Sequence, residues 1–142
     1  MNGRVLAVDL GARRVGLAVS DPTGTIAQPF RVLHRRSTRE VLDAIAEVVA
    51  QLGPSRVVVG LPRNMDGTEG RMARAARRFG EALARRTRVP VEFWDERLTT
   101  VAAERVLRGR VPTRRRELRD GVAAALILEG YLRHSGPGLA TP

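Results

Sequence analysis

The sequence predicts an α/β domain, a five-stranded mixed sheet with helices on both faces. Three observations lead there. The chain opens with three strand-like segments joined by short turns, the pattern of an antiparallel meander. From Thr38 onward, helical segments alternate with short apolar strands. At 142 residues and 43% hydrophobic, the chain fits one globular domain with a core of its own.

Arg4 to Asp9 reads as a buried strand, because Val5-Leu6-Ala7-Val8 is apolar without a break. Gly11 to Arg14 is a turn, Val15 to Ser20 a second strand, and Asp21-Pro22-Thr23-Gly24 a second turn. Ile26 to Leu33 is the third strand, and Pro29 marks it as an edge or a bulge because proline cannot donate to a ladder. Thr38 to Leu52 sets Val41, Leu42, Ile45, Val48, Val49 and Leu52 at helical spacing, and Gly53-Pro54 stops the helix. Arg56 to Leu61 is a short buried strand around Val57-Val58-Val59. Asp66-Gly67-Thr68 is a turn with a capping residue, followed by a helix to about Arg86 that buries Met72, Ala76, Phe79 and Leu83. Val89 to Trp94 is the fifth strand. Thr99 or Thr100 caps a short helix to Arg108, Gly109 to Arg114 is a loop, and a last helix runs from about Arg115 to Leu132. Residues 1–134 thus form a single domain in the order βββαβαβαα, and the tail 135–142 reads as disordered.

Composition narrows the chemistry. Without cysteine there are no disulfides and no thiolate metal sites. His34 and His134 are too few to build a histidine zinc site. A bound metal must therefore be hard and held by carboxylates: magnesium, manganese or calcium. No apolar run approaches the roughly 20 residues of a membrane span. The N-terminus lacks a signal-peptide core, so a cytoplasmic location is expected. The net charge of +10 favours a polyanionic partner such as nucleic acid over a membrane surface. All 25 basic residues are arginine. Coding bias accounts for that choice, yet arginine also grips phosphate in a bidentate way that lysine cannot.

Asp9 ends what should be a central strand, where a carboxylate needs partners. Its plainer reading is a turn cap before Gly11. Asp95-Glu96 follows the fifth strand, and adjacent carboxylates repel unless a cation compensates. Here the plainer reading is a solvated loop with Arg97 as ion partner. Asp120 shares a helix face with Ala123, Ala124, Ile127 and Tyr131 on a helix that is apolar nearly all round. A charge at its head is costly unless a metal, an arginine or the helix dipole meets it. Asp9, Glu96 and Asp120 come from three separated elements, with Asp95 in reserve. An all-carboxylate set of this kind is what two-metal phosphodiester cleavage requires.

Gly60-Leu61-Pro62 and Asp66 to Gly70 bracket a loop at the exit of the fourth strand, a position where α/β sheets bind ligands. Arg71, Arg74, Arg78 and Arg85 form a stripe that reads as a solvated face. Arg114, Arg115 and Arg116 adjoin Asp120 and read as phosphate-binding, with Arg13, Arg14 and Arg97 as further nucleic-acid contacts. Aromatic residues are too scarce for a base-stacking platform.

Four segments carry a family resemblance. Asp9 to Asp21 (DLGARRVGLAVSD) resembles the first motif of the YqgF/RuvX family, and Val58 to Gly70 (VVGLPRNMDGTEG) its second. Asp95 to Thr100 (DERLTT) is similar to the third, and Asp120 to Leu132 to the final helix. The likeness covers about residues 3 to 133 in register, with arginines at 114–116 where the family often has lysines. It implies a ribonuclease-H-like fold and a carboxylate site at Asp9, Glu96 and Asp120 holding magnesium or manganese. It also implies a nuclease for the 5′ end of pre-16S ribosomal RNA, working with precursor rRNA or ribosomal particles. The same resemblance leaves open a Holliday-junction resolvase on branched DNA, or a binding module without catalysis.

Overall fold

Strand β1 (Val5–Leu10) is buried along its whole length. It is the middle strand of a five-stranded sheet whose order is β3-β2-β1-β4-β5. The structure, a computed structural model, describes residues 3–98 and 113–135, with side chains of the last helix described from 121 to 134. β2 (Arg14–Ser20) and β3 (Ala27–His34) complete the antiparallel meander. β4 (Arg56–Leu61) and β5 (Val91–Asp95) add to the other side of β1 in parallel. The expected mixed sheet is therefore present, with β1 central. β3 is an edge strand, and its register shifts opposite Leu17/Ala18 so that Phe30 is the extra residue beside Pro29. Both readings of Pro29 hold at once.

Helix α1 (Thr38–Leu52) begins where the Ser37 hydroxyl accepts the Glu40 amide at 3.1 Å. It ends at Gly53, whose left-handed φ of 59° no β-carbon would tolerate cheaply. Helix α2 (Arg71–Thr87) starts three residues later than the sequence reading. Thr68 is committed elsewhere: its amide and hydroxyl both donate to the Asp66 carboxylate, at 3.0 and 2.6 Å. Gly70 stands at the N-cap with no side-chain cap. The buried face of α2 is also shifted. Met72 is 54% exposed, while Ala73, Ala76, Phe79, Gly80 and Leu83 are buried. Small residues let α2 lie close on the sheet. A β-carbon at Gly80 would sit 2.6 Å from the Phe93 ring, so bulk alone misplaces the centre of this face.

α1 and α2 cover one face of the sheet, over Leu6, Val8, Val15, Leu17, Val57 and Val59. The last helix, α3 (Thr113–Ser135), covers the other, over Val5, Ala7, Ala18, Val58 and Trp94. Side chains alternate along each strand, so β1 feeds both cores from successive residues. α3 is longer at both ends than expected. The short helix expected from Thr99 or Thr100 to Arg108, most of the loop after it and the tail from 136 lie outside the described residues. Among the described residues no helix is long and apolar enough to cross a membrane.

Candidate active site

Strand alternation decides which side chains meet. Val5 and Ala7 pack toward α3, so Asp9 points to that face as well. It is 1% exposed. Its antiparallel partner is Gly16 on β2. On the other side Val8 pairs with Val59, which brings Gly60 of β4 alongside Asp9. The central carboxylate thus stands between two strand positions that carry no side chain.

Glu96 arrives from the far side. It opens a 3-10 turn (Glu96–Leu98) directly after β5 and is 5% exposed. Trp94, two residues earlier, packs toward α3, and Glu96 follows the same side. A β-carbon on Gly60 would lie 2.6 Å from Glu96 Oε2 and 2.6 Å from Ile127 Cδ1 of α3. The Glu96 carboxylate therefore rests over β4, about one strand spacing, ~4.8 Å, from the line of β1. Asp9 and Glu96 come together at the carboxyl ends of parallel strands, under α3. Both take part in interactions within the protein.

Asp95 goes the opposite way. The Arg97 guanidinium donates to it at 2.7 Å through Nη2, and Arg63 Nη1 lies at 3.5 Å. The Arg97 hydrogen bonds hold the Asp95 carboxyl below the usual carboxylate range, against a partial burial that pushes upward. The chain of charges continues from Arg63 to Glu69 (3.3 Å) and from Glu69 to Arg77 of α2 (2.6 Å). Arg97 Nη1 also donates to the Met65 carbonyl. This network fastens the 62–70 loop to the end of β5 and the start of α2. It spends Asp95 and Arg97 on holding the loop, beside the face that Glu96 occupies.

Asp120 belongs to α3, the helix on the same face as Asp9 and Glu96. Ala123, Ala124 and Ile127, which share its helical face, are completely buried. The side chains of Asp120, Arg114, Arg115 and Arg116 lie outside the described residues. Arg13 is exposed at the β1–β2 turn and Arg14 is half-buried at the start of β2. No group of three acidic or histidine side chains is close enough to hold a metal among the described residues, a set that leaves out Asp120. The sequence reading placed Gly60 in a loop bracket. Its place after an unbroken valine run was the available signal, since glycine inside a strand marks close approach by another group.

The mixed sheet in this order, with one long helix across the acidic face, is a ribonuclease-H-like fold. Thermus thermophilus RuvC bound to a Holliday junction superposes with a TM-score of 0.60 at 17% identity, covering 94% of this chain and 97% of that one. At that identity the likeness concerns the fold alone. Residues 3–134 match the sequence profile of RuvX, described as a Holliday junction resolvase, and the chain belongs to this family. A relative from Symbiobacterium thermophilum is 47% identical over 131 residues, covering 91% of each chain. One from Myxococcus xanthus is also 47% identical over 131 residues, covering 91% of this chain and 87% of that one. Both relatives carry the name of a candidate pre-16S rRNA nuclease.

Proposed function

We propose that this chain is a metal-dependent nuclease that hydrolyses phosphodiester bonds at the 5′ end of pre-16S ribosomal RNA, with Asp9, Glu96 and Asp120 as its metal ligands. The observation that carries the reading is the pair of buried carboxylates, Asp9 and Glu96, brought from β1 and the end of β5 to the face covered by α3. The donor set fits a hard divalent cation, because it offers carboxylate oxygen and neither sulfur nor imidazole. Asp9, Glu96 and Asp120 would hold magnesium or manganese there, which would supply a lowered pKa for an attacking water and stabilisation of charge on the leaving oxygen. Glu96 is preferred to Asp95 because Asp95 already serves two arginines. The protein's own share is placement. Gly16 and Gly60 flank Asp9 on the neighbouring strands, the missing side chain of Gly60 makes room for the Glu96 carboxylate and Ile127 of α3, and the Asp95–Arg97 pair fixes the backbone from which Glu96 departs. Arg13, Arg14 and the arginines at 114–116 are positioned in the chain to take the flanking phosphates. The names of the relatives favour precursor rRNA, while the family description keeps branched DNA as the competing substrate.

One assay tests the reading. Purified protein with manganese is offered a 5′-extended small-subunit rRNA precursor and a synthetic four-way DNA junction. The expected result is cleavage of the RNA, lost in Asp9→Asn, which removes the charge but almost no volume. Symmetric nicking of the junction with intact RNA would make the protein a resolvase. Binding without cleavage of either would make it a non-catalytic module.

A further inference from the structure

Helix α2 carries six arginines against a single glutamate, Glu81. The structure divides the six by what they touch. Arg77 is paired with Glu69 at 2.6 Å, and Arg86 with Asp43 of α1 at 2.7 Å. Arg74 donates to the Glu69 carbonyl at 3.0 Å. Arg71, Arg78 and Arg85 are exposed and have no ion pair or hydrogen bond among the described residues. These three stand seven residues apart. Seven residues advance about 10.5 Å along a helix with a drift of only about 20°, so the three cations lie in one row about 21 Å long.

The row has a definite relation to the acidic site. α2 begins beside the 62–70 loop, which Arg63 ties to Asp95, the residue before Glu96. It then runs back to the far end of β5. Arg71 is therefore at the end of the row toward the carboxylates and Arg85 at the other end, with the sheet between α2 and the acidic face. Exposed arginines without an ion pair among the described residues repel one another, and the packing of α2 does not use them, since its buried face is made of Ala73, Ala76, Phe79, Gly80 and Leu83. A row of exposed cations, with Glu81 beside it and no aromatic residue along it, suits a sugar–phosphate backbone read without sequence preference. Elsewhere on this helix a charge run is satisfied internally, so a merely solvated face does not account for the regular spacing of the unpaired members.

We infer that Arg71, Arg78 and Arg85 form a phosphate track that holds the RNA backbone leading away from the cut site. The inference rests on the nuclease reading for its substrate, but it is tested by binding. The triple variant Arg71→Gln/Arg78→Gln/Arg85→Gln is compared with Arg31→Gln/Arg36→Gln/Arg133→Gln, which removes the same charge from exposed arginines outside α2. Affinity for the 5′-extended precursor RNA is measured in EDTA over a series of salt concentrations. Each single-strand phosphate contact contributes about 0.7 to the slope of log K against log salt, so losing three should make it shallower by about two. The control should keep a slope close to the original. Equal slopes for the two variants, or no change in the first, would overturn the track. If the wild type cuts no RNA while the row still sets the slope, the track stands and the nuclease reading fails.

Discussion

Gly60 shows how much one missing atom decides. Its α-carbon faces Glu96 Oε2 and Ile127 Cδ1, each 2.6 Å from where a β-carbon would go. Both are far ends of flexible side chains, so Gly60→Ala should fold and push the Glu96 carboxylate aside. Overpacking of this kind costs about 1–3 kcal/mol, and a 1 Å misplacement costs on the order of 100-fold in rate. Denaturant melts read beside cleavage rates check this prediction; unchanged cleavage would mean that the position of Glu96 does not matter. Asp95 and Glu96 give a second comparison. Glu96→Gln should abolish cleavage, whereas Asp95→Asn should lower the stability of the 62–70 loop and leave cleavage within a few-fold. The reverse order, seen in the same assay, would exchange their roles. The sequence reading chose Glu96 and kept Asp95 in reserve, because alternation separates the neighbours only once Trp94 is known to face α3. Asp9 was easier to read, since an unbroken apolar run fixes its strand and its depth.

The 62–70 loop and the helices beside it make the next scale. Arg77 holds Glu69 below the usual carboxylate range, and Thr68 does the same for Asp66. Arg97 does so for Asp95. Groups lowered in the folded state bind protons more readily when unfolded. Their contribution is therefore fully present above the unfolded values, about pH 4 to 4.5, and is lost as pH falls through the lower folded ones. Amide protection factors in residues 62–70, exchange rates normalised to the intrinsic rate at each pH, should fall on acidification below about pH 4 more than those in β1; an equal fall would show that the network does not secure the loop. The first turn of α3, before Asp120, gives another test. Replacing Arg114, Arg115 and Arg116 with alanine should flatten the salt dependence of RNA binding while the circular dichroism spectrum is kept. An unchanged slope would make the cluster an ordinary solvated surface. Element bounds were legible where caps are local, as at Ser37 and Gly53. They were misread at α2, where Thr68 closes a turn with Asp66 and small residues, Ala73 and Gly80, take places in the buried stripe beside Ala76, Phe79 and Leu83.

At the scale of the whole molecule, the sheet order brings Asp9 and Glu96 to one face from distant parts of the chain. β1 lies at the centre, β5 comes two strands away, and α3 crosses their common face. The meander and the later alternation of strands and helices made this architecture readable from sequence. Register did not follow from those patterns, and with it the placing of Gly16 and Gly60 around Asp9 became visible only in the structure. The net charge of +10 surrounds a buried acidic patch, a distribution suited to drawing in a polyanion while a cation holds the carboxylates together. Calorimetric titration with manganese is the most direct test of that centre. The wild type should give saturable heat, and Asp9→Asn, with an unaltered circular dichroism spectrum, should give none or bind far more weakly. Manganese binding by Asp9→Asn with wild-type affinity would contradict the carboxylate site on which the proposed function rests.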